Sequence, residues 1–89
     1  DELAAPVARA IEQAGIEEPP FVVSMDGIEE AVSLIRAGSP VALTVAYNVP
    51  RMGELAVQVT ANALAGELPQ TKALTLQPCL ITQDTAPPE

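Results

Sequence analysis

The chain has 89 residues, enough for one small domain. Twelve acidic and four basic residues give a net charge of −8, so it lacks the basic footprint that a phosphate backbone or an anionic lipid surface requires. It is 48% hydrophobic and only 2% aromatic, which predicts an aliphatic core, and its one cysteine, Cys79, excludes an intrachain disulfide.

A first helix is expected over 1–15. Asp1 is read as its cap, Leu3, Val7, Ala10, Ile11 and Ala14 recur at helical spacing, and Gly15 suits the left-handed position after the last turn. Pro6 is compatible with it only near the helix start. Glu17-Glu18-Pro19-Pro20 reads as an exposed connector to the strand Phe21-Val22-Val23-Ser24-Met25, which ends in Asp26-Gly27.

The second helix is predicted over 28–37, with Ile28, Ala31, Val32 and Ile35 as its apolar stripe. Glu29 and Glu30 in its first turn and Arg36 in its last suit the helix dipole. A second strand, Val41-Ala42-Leu43-Thr44-Val45-Ala46, ends in Tyr47-Asn48.

The third helix is predicted over 50–65, with Asn48 or Val49 at its cap, Pro50 in its first turn and Gly66 as its stop. Met52, Leu55, Ala56, Val59 and Ala63 form its expected buried stripe. Residues 73–76 and 79–82 read as short strands, with Pro78 assigning them to an edge or a crossing, not to a central strand, and 85–89 as a disordered tail.

Strands joined by a crossover helix run parallel in one sheet, and a parallel sheet is covered on both faces. The expected class is therefore α/β, a parallel-sheet, three-layer αβα arrangement. Two or three strands and three helices leave it incomplete, so the chain is expected to be part of a larger domain or to oligomerise. The opening Asp1-Glu2-Leu3-Ala4, without an initiator methionine, is read as an interior start, so the missing targeting signal carries no information on location. No apolar run approaches the roughly 18 residues of a membrane span, and direct membrane insertion is not expected.

Catalysis has little support in the residues. With no histidine and one cysteine, no metal site is expected, and Cys79 is read as a buried, inert thiol. No glycine-rich phosphate loop occurs, so no cofactor is expected. Glu17/Glu18 and Glu29/Glu30 are adjacent, and neighbours in a helix do not face each other. The expectation is a protein that is not an enzyme.

Ligands of open α/β sheets bind just outside the carboxyl ends of the strands, which singles out Asp26, Tyr47 and Asn48. A carboxylate at position 26 can accept two hydroxyl hydrogen bonds, as polyol recognition requires; it can equally cap the following helix. Tyr47 can offer a ring face and a hydroxyl, or simply pack at the strand end. Asn48 reads more as a helix cap than as a ligand contact.

The ordered set Asp26-Gly27, Arg36-Ala37-Gly38 and Thr44-Val45-Ala46-Tyr47-Asn48-Val49-Pro50-Arg51-Met52-Gly53 resembles the C-terminal part of type I periplasmic sugar-binding proteins of the ribose-binding kind. Asp1-Glu2-Leu3-Ala4, Leu64-Ala65-Gly66-Glu67 and Leu80-Ile81-Thr82 extend the resemblance over nearly the whole chain. It implies an incomplete periplasmic-binding-protein-like fold. Residues 1–47 would belong to the C-terminal ligand-binding lobe, 48–78 to a hinge crossing and a helix returning to the N-terminal lobe, and 79–89 to the final crossing and tail.

The implied function is that of the substrate-binding component of an ABC importer in the periplasm. Such a protein takes a sugar or polyol in an interlobe cleft and delivers it to the importer's membrane subunits. Asp26 matches the family's hydroxyl-binding aspartate. Tyr47 stands where the family has a glutamine, Ser24 where a glycine is common and Ile28 where a threonine is, so the sugar is expected to differ from ribose. The same ligand-binding fold serves lac-repressor-like transcription regulators, and a non-binding structural fragment, with Asp26 and Asn48 as mere caps, is the other alternative.

Overall fold

The computed structural model describes all 89 residues. Six elements follow in the order α1 (Ala4–Ala14), β1 (Val22–Asp26), α2 (Glu29–Arg36), β2 (Val41–Ala46), α3 (Val49–Leu64) and β3 (Cys79–Thr82). They fall into two compact units: Asp1–Ala46 together with Cys79–Glu89, and Tyr47–Pro78. No helix is long and apolar enough to cross a membrane.

The first unit is a small mixed α/β structure with sheet order β1-β2-β3. β1 and β2 are parallel, as the strand–helix–strand alternation requires, and the register sets Asp26 opposite Ala46. β3 runs antiparallel to β2, so the sheet is mixed and the expectation of a parallel sheet holds only for β1 and β2. Hydrophobic pattern marks a strand but carries no direction. β3 is an edge strand, one of the two placements that Pro78 allows.

Burial along β2 does not alternate: Val41 and Thr44 are both buried. The register explains this, because Val22 pairs with Val41 and Val23 with Leu43, leaving Ala42 as an extra residue. That irregularity turns Val41 and Thr44 to one face although they lie three apart. The same face carries Val22 and Ile81, and with Ala4 and Ala8 of α1 and Val32 and Ile35 of α2 it makes the core. Each fully buried Val or Ile side chain there contributes about 1.5–3 kcal/mol, and each alanine less. The core is aliphatic, as the composition predicts.

The other face bears Val23, Met25 and Leu80, all more than half exposed. Helices cover one face of this sheet, so the unit has two layers where three were expected. The cluster that buries α1 and α2 contains no residue of the second face.

α1 corrects the expected stripe. It buries Ala4, Ala5 and Ala8, while Leu3 and Val7 stay exposed. Alanine lets α1 pack closely against the sheet and α2. Pro6 is tolerated because it falls in the first turn, where its missing N–H has no helical partner. Asp1 does not cap α1: the helix has no side-chain cap. Residues 85–89, expected as a loose tail, are held to the unit. Thr85 Oγ1 accepts from the Thr82 N–H at 2.9 Å, Arg36 Nε donates to the Pro87 carbonyl at 2.7 Å, and Ala86 packs on the core.

The second unit is α3 followed by 65–78, which contains no strand. The strand expected over 73–76 is absent. Its alternating pattern has no ladder partner, and backbone groups without one do not stay extended as a strand. α3 buries none of its residues, so its apolar stripe is not the buried face expected; Leu55, Val59 and Ala63 are half-buried.

Candidate functional site

The Asp26-Gly27-Ile28 turn leads from β1 into α2. Asp26 has φ 110° and Gly27 φ 73°. A positive φ is strained for any residue with a side chain, and such strain concentrates at functional positions. Gly27 is also the only residue type that fits here. A Cβ built on it would lie 2.9 Å from Ala46 Cα and closer still to Ala46 Cβ. The bare backbone of Gly27 therefore packs directly on Ala46 at the end of the neighbouring strand.

Asp26 does not cap α2. The cap position belongs to Ile28, in extended conformation and with no side-chain cap bond. The Asp26 side chain is 63% exposed, and its Oδ2 lies 3.7 Å from the Asp1 nitrogen. No side-chain hydrogen bond occupies its oxygens, so both are open to donors from outside.

Asp1 binds the residue that precedes α2. Its Oδ2 accepts from the Ile28 N–H at 2.9 Å, and its Oδ1 accepts from Thr44 Oγ1–H at 2.8 Å. Its backbone nitrogen donates to the Met25 carbonyl at 2.9 Å. Thr44, fully buried, also accepts at Oγ1 from the Gly27 N–H at 3.3 Å. No buried side-chain polar atom is left unpaired. Neither Asp1 nor Thr44 stands out as a site residue in the sequence. Asp1 reads as a local cap, and its partner lies 43 residues away.

Tyr47 and Asn48 belong to the other unit, where both line a cavity of about 610 Å³ between α3 and the 69–78 segment. Asn48 is the cap of α3, its Oδ1 accepting from the Arg51 N–H at 3.0 Å. Its amide nitrogen and the second lone pair of Oδ1 remain for other partners. Tyr47 is 38% exposed and its hydroxyl makes no hydrogen bond within the protein. Tyr47 and Asn48 are thus brought together, while Asp26 stands in its own unit.

Cys79 is exposed at the start of the edge strand β3, not buried as its apolar neighbours suggest. No group of three or more His, Cys, Asp or Glu side chains could hold a metal ion. Glu29, the first residue of α2, follows the turn directly. Arg36 donates to Glu29 Oε1 at 2.8 Å, and this bond and the guanidinium charge hold the Glu29 carboxyl below its ordinary range.

No protein-family model matches the sequence, and no curated protein matches it.

Proposed function

We propose that this chain is the C-terminal part of a type I periplasmic sugar-binding protein, the substrate-binding component of an ABC importer, and that it recognises a sugar or polyol without catalysing a reaction. One observation carries the reading. Asp26 presents an exposed carboxylate, free of any capping duty, at the carboxyl end of a strand that pairs in parallel with its neighbour. Open α/β sheets bind ligands outside such strand ends.

A carboxylate there accepts hydrogen bonds from two vicinal hydroxyls, each charge-assisted bond contributing about 1.5–3 kcal/mol. In the second unit, Tyr47 and Asn48 line a cavity of their own and are its candidates for stacking and hydrogen bonding. Binding of this kind relies on hydrogen bonding and stacking, with no covalent step.

A thermal-shift screen of the full-length protein against pentoses, hexoses and acyclic polyols tests the reading. A ligand that binds the native state raises the melting temperature as RT ln(1 + [L]/Kd). A rise with one sugar class supports it; no rise with any of them refutes it.

A further inference from the structure

We propose that Asp1 is the positioning residue of this site: its carboxylate clamps the β1–α2 turn and so sets the direction in which Asp26 is presented. The inference rests on the sugar-binding reading of Asp26 for its functional half, and on geometry alone for its structural half.

The geometry is that of a buried anion whose two oxygens hold the turn directly, at Ile28, and through Thr44, which itself accepts from the Gly27 N–H. The Asp1 side chain is fully buried although the residue sits beside exposed Asp26. A buried carboxylate is costly unless its oxygens are hydrogen-bonded. Here one oxygen takes the Ile28 N–H and the other the Thr44 hydroxyl, at 2.9 and 2.8 Å. The Asp1 nitrogen binds the Met25 carbonyl on the other side of Asp26. Met25, Ile28 and Thr44 are thereby fixed to one residue, and Asp26 is the free side chain enclosed between the first two.

The conformation needs such a clamp. Asp26 at φ 110° lies outside the regions a residue with a side chain adopts unaided, next to Gly27 at φ 73°, which glycine adopts freely. Strained backbone persists only where its surroundings over-determine it. Ile28 has no cap from its own helix, so the Asp1 oxygen is the contact that ends the turn. Asp1 itself does not touch ligand in this scheme; it acts through Asp26.

The test uses Asp1→Ala and Asp1→Asn in the full-length protein. Asparagine keeps the shape, can accept from Ile28 and can donate to the Thr44 oxygen, so it is the conservative rescue. Amide hydrogen exchange is read at Ile28, with Ile35 in the same helix as the control, and affinity is read by calorimetry with each of D-ribose, D-xylose, D-glucose and D-galactose. Asp1→Ala is expected to speed Ile28 exchange and to weaken sugar binding by about tenfold or more, Ile35 exchange staying as it was, and Asp1→Asn to restore both.

Should Asp1→Ala fail to fold, Thr44→Val replaces it, with the Gly27 amide as the reporter. Unchanged exchange at the turn overturns the clamp, as does faster exchange with unchanged affinity for a sugar that binds. Faster exchange in a protein whose wild type binds none of the four sugars upholds the clamp and counts against the sugar-binding reading instead.

Discussion

Gly27 and Ala46 approach so closely that no side chain fits between them: a Cβ on Gly27 would lie 2.9 Å from the Ala46 Cα. The contact joins the carboxyl ends of the two parallel strands and leaves Asp26 as the side chain that marks this end of β1. Gly27→Ala adds this overlap to the cost of a left-handed φ, about 2–5 kcal/mol together. Urea unfolding checks it: the midpoint falls with an unchanged slope. A midpoint equal to wild type would contradict the close approach.

Asp26 is held at φ 110° without any capping bond in return. Glycine adopts that conformation freely, so Asp26→Gly relieves strain of about 1–3 kcal/mol while adding about 0.5–1 kcal/mol of unfolded-state entropy. The expected variant is as stable as wild type or more stable, and has lost sugar binding. Thermal unfolding and calorimetry read the two halves. A clear loss of stability would show that the Asp26 side chain supports the fold.

Much of this architecture is legible in the sequence, and the exceptions share a cause. β2 is expected and found at Val41–Ala46, and α2 and α3 lie within a residue of their expected bounds at each end. These elements have long periodic patterns with clear stops. What failed depended on partners distant in sequence. The direction of β3 and the missing strand over 73–76 are set by which strand is available for pairing, which no local pattern records. α1 buries its alanines because of the helix and sheet it meets, so the larger Leu3 and Val7 mislead.

The site divides in the same way. Asp26 is visible because strand end, glycine and helix start are contiguous. Asn48 as the α3 cap is equally local, and is found. Asp1 and Thr44 are invisible because their bond spans 43 residues.

Ile35 is fully buried in the cluster that joins both helices to the sheet, whereas Leu64 is 86% exposed. Ile35→Ala is expected to cost about 2–5 kcal/mol, and Leu64→Ala to stay within about 0.5 kcal/mol of wild type. Denaturant unfolding of both variants tests whether the first unit's core carries the stability. Equal effects would place the stabilising contacts elsewhere.

Arg36 holds the Glu29 carboxyl below its ordinary value of 4.5, first through its hydrogen bond and then through its charge. A carboxyl lowered in the folded state stabilises above its unfolded pKa, and that contribution disappears as pH falls through the folded value. It is thus complete at neutral pH and declines only below about 4.5. NMR titration of Glu29 is expected to show the lowered midpoint, and Arg36→Gln to return it to the ordinary range. The pair is solvent-exposed on the Glu29 side, so added salt should weaken the shift. A midpoint unmoved by Arg36→Gln would contradict the assignment.

The most direct measurement of the central claim is parallel calorimetric titration of the full-length wild type and Asp26→Ala with the sugar giving the largest thermal shift. Removing the carboxylate is expected to weaken binding by about tenfold or more, the loss of one charge-assisted hydrogen bond or more, while leaving the fold intact. Equal affinity in the two proteins would contradict the account, because Asp26 would then have no part in holding the ligand.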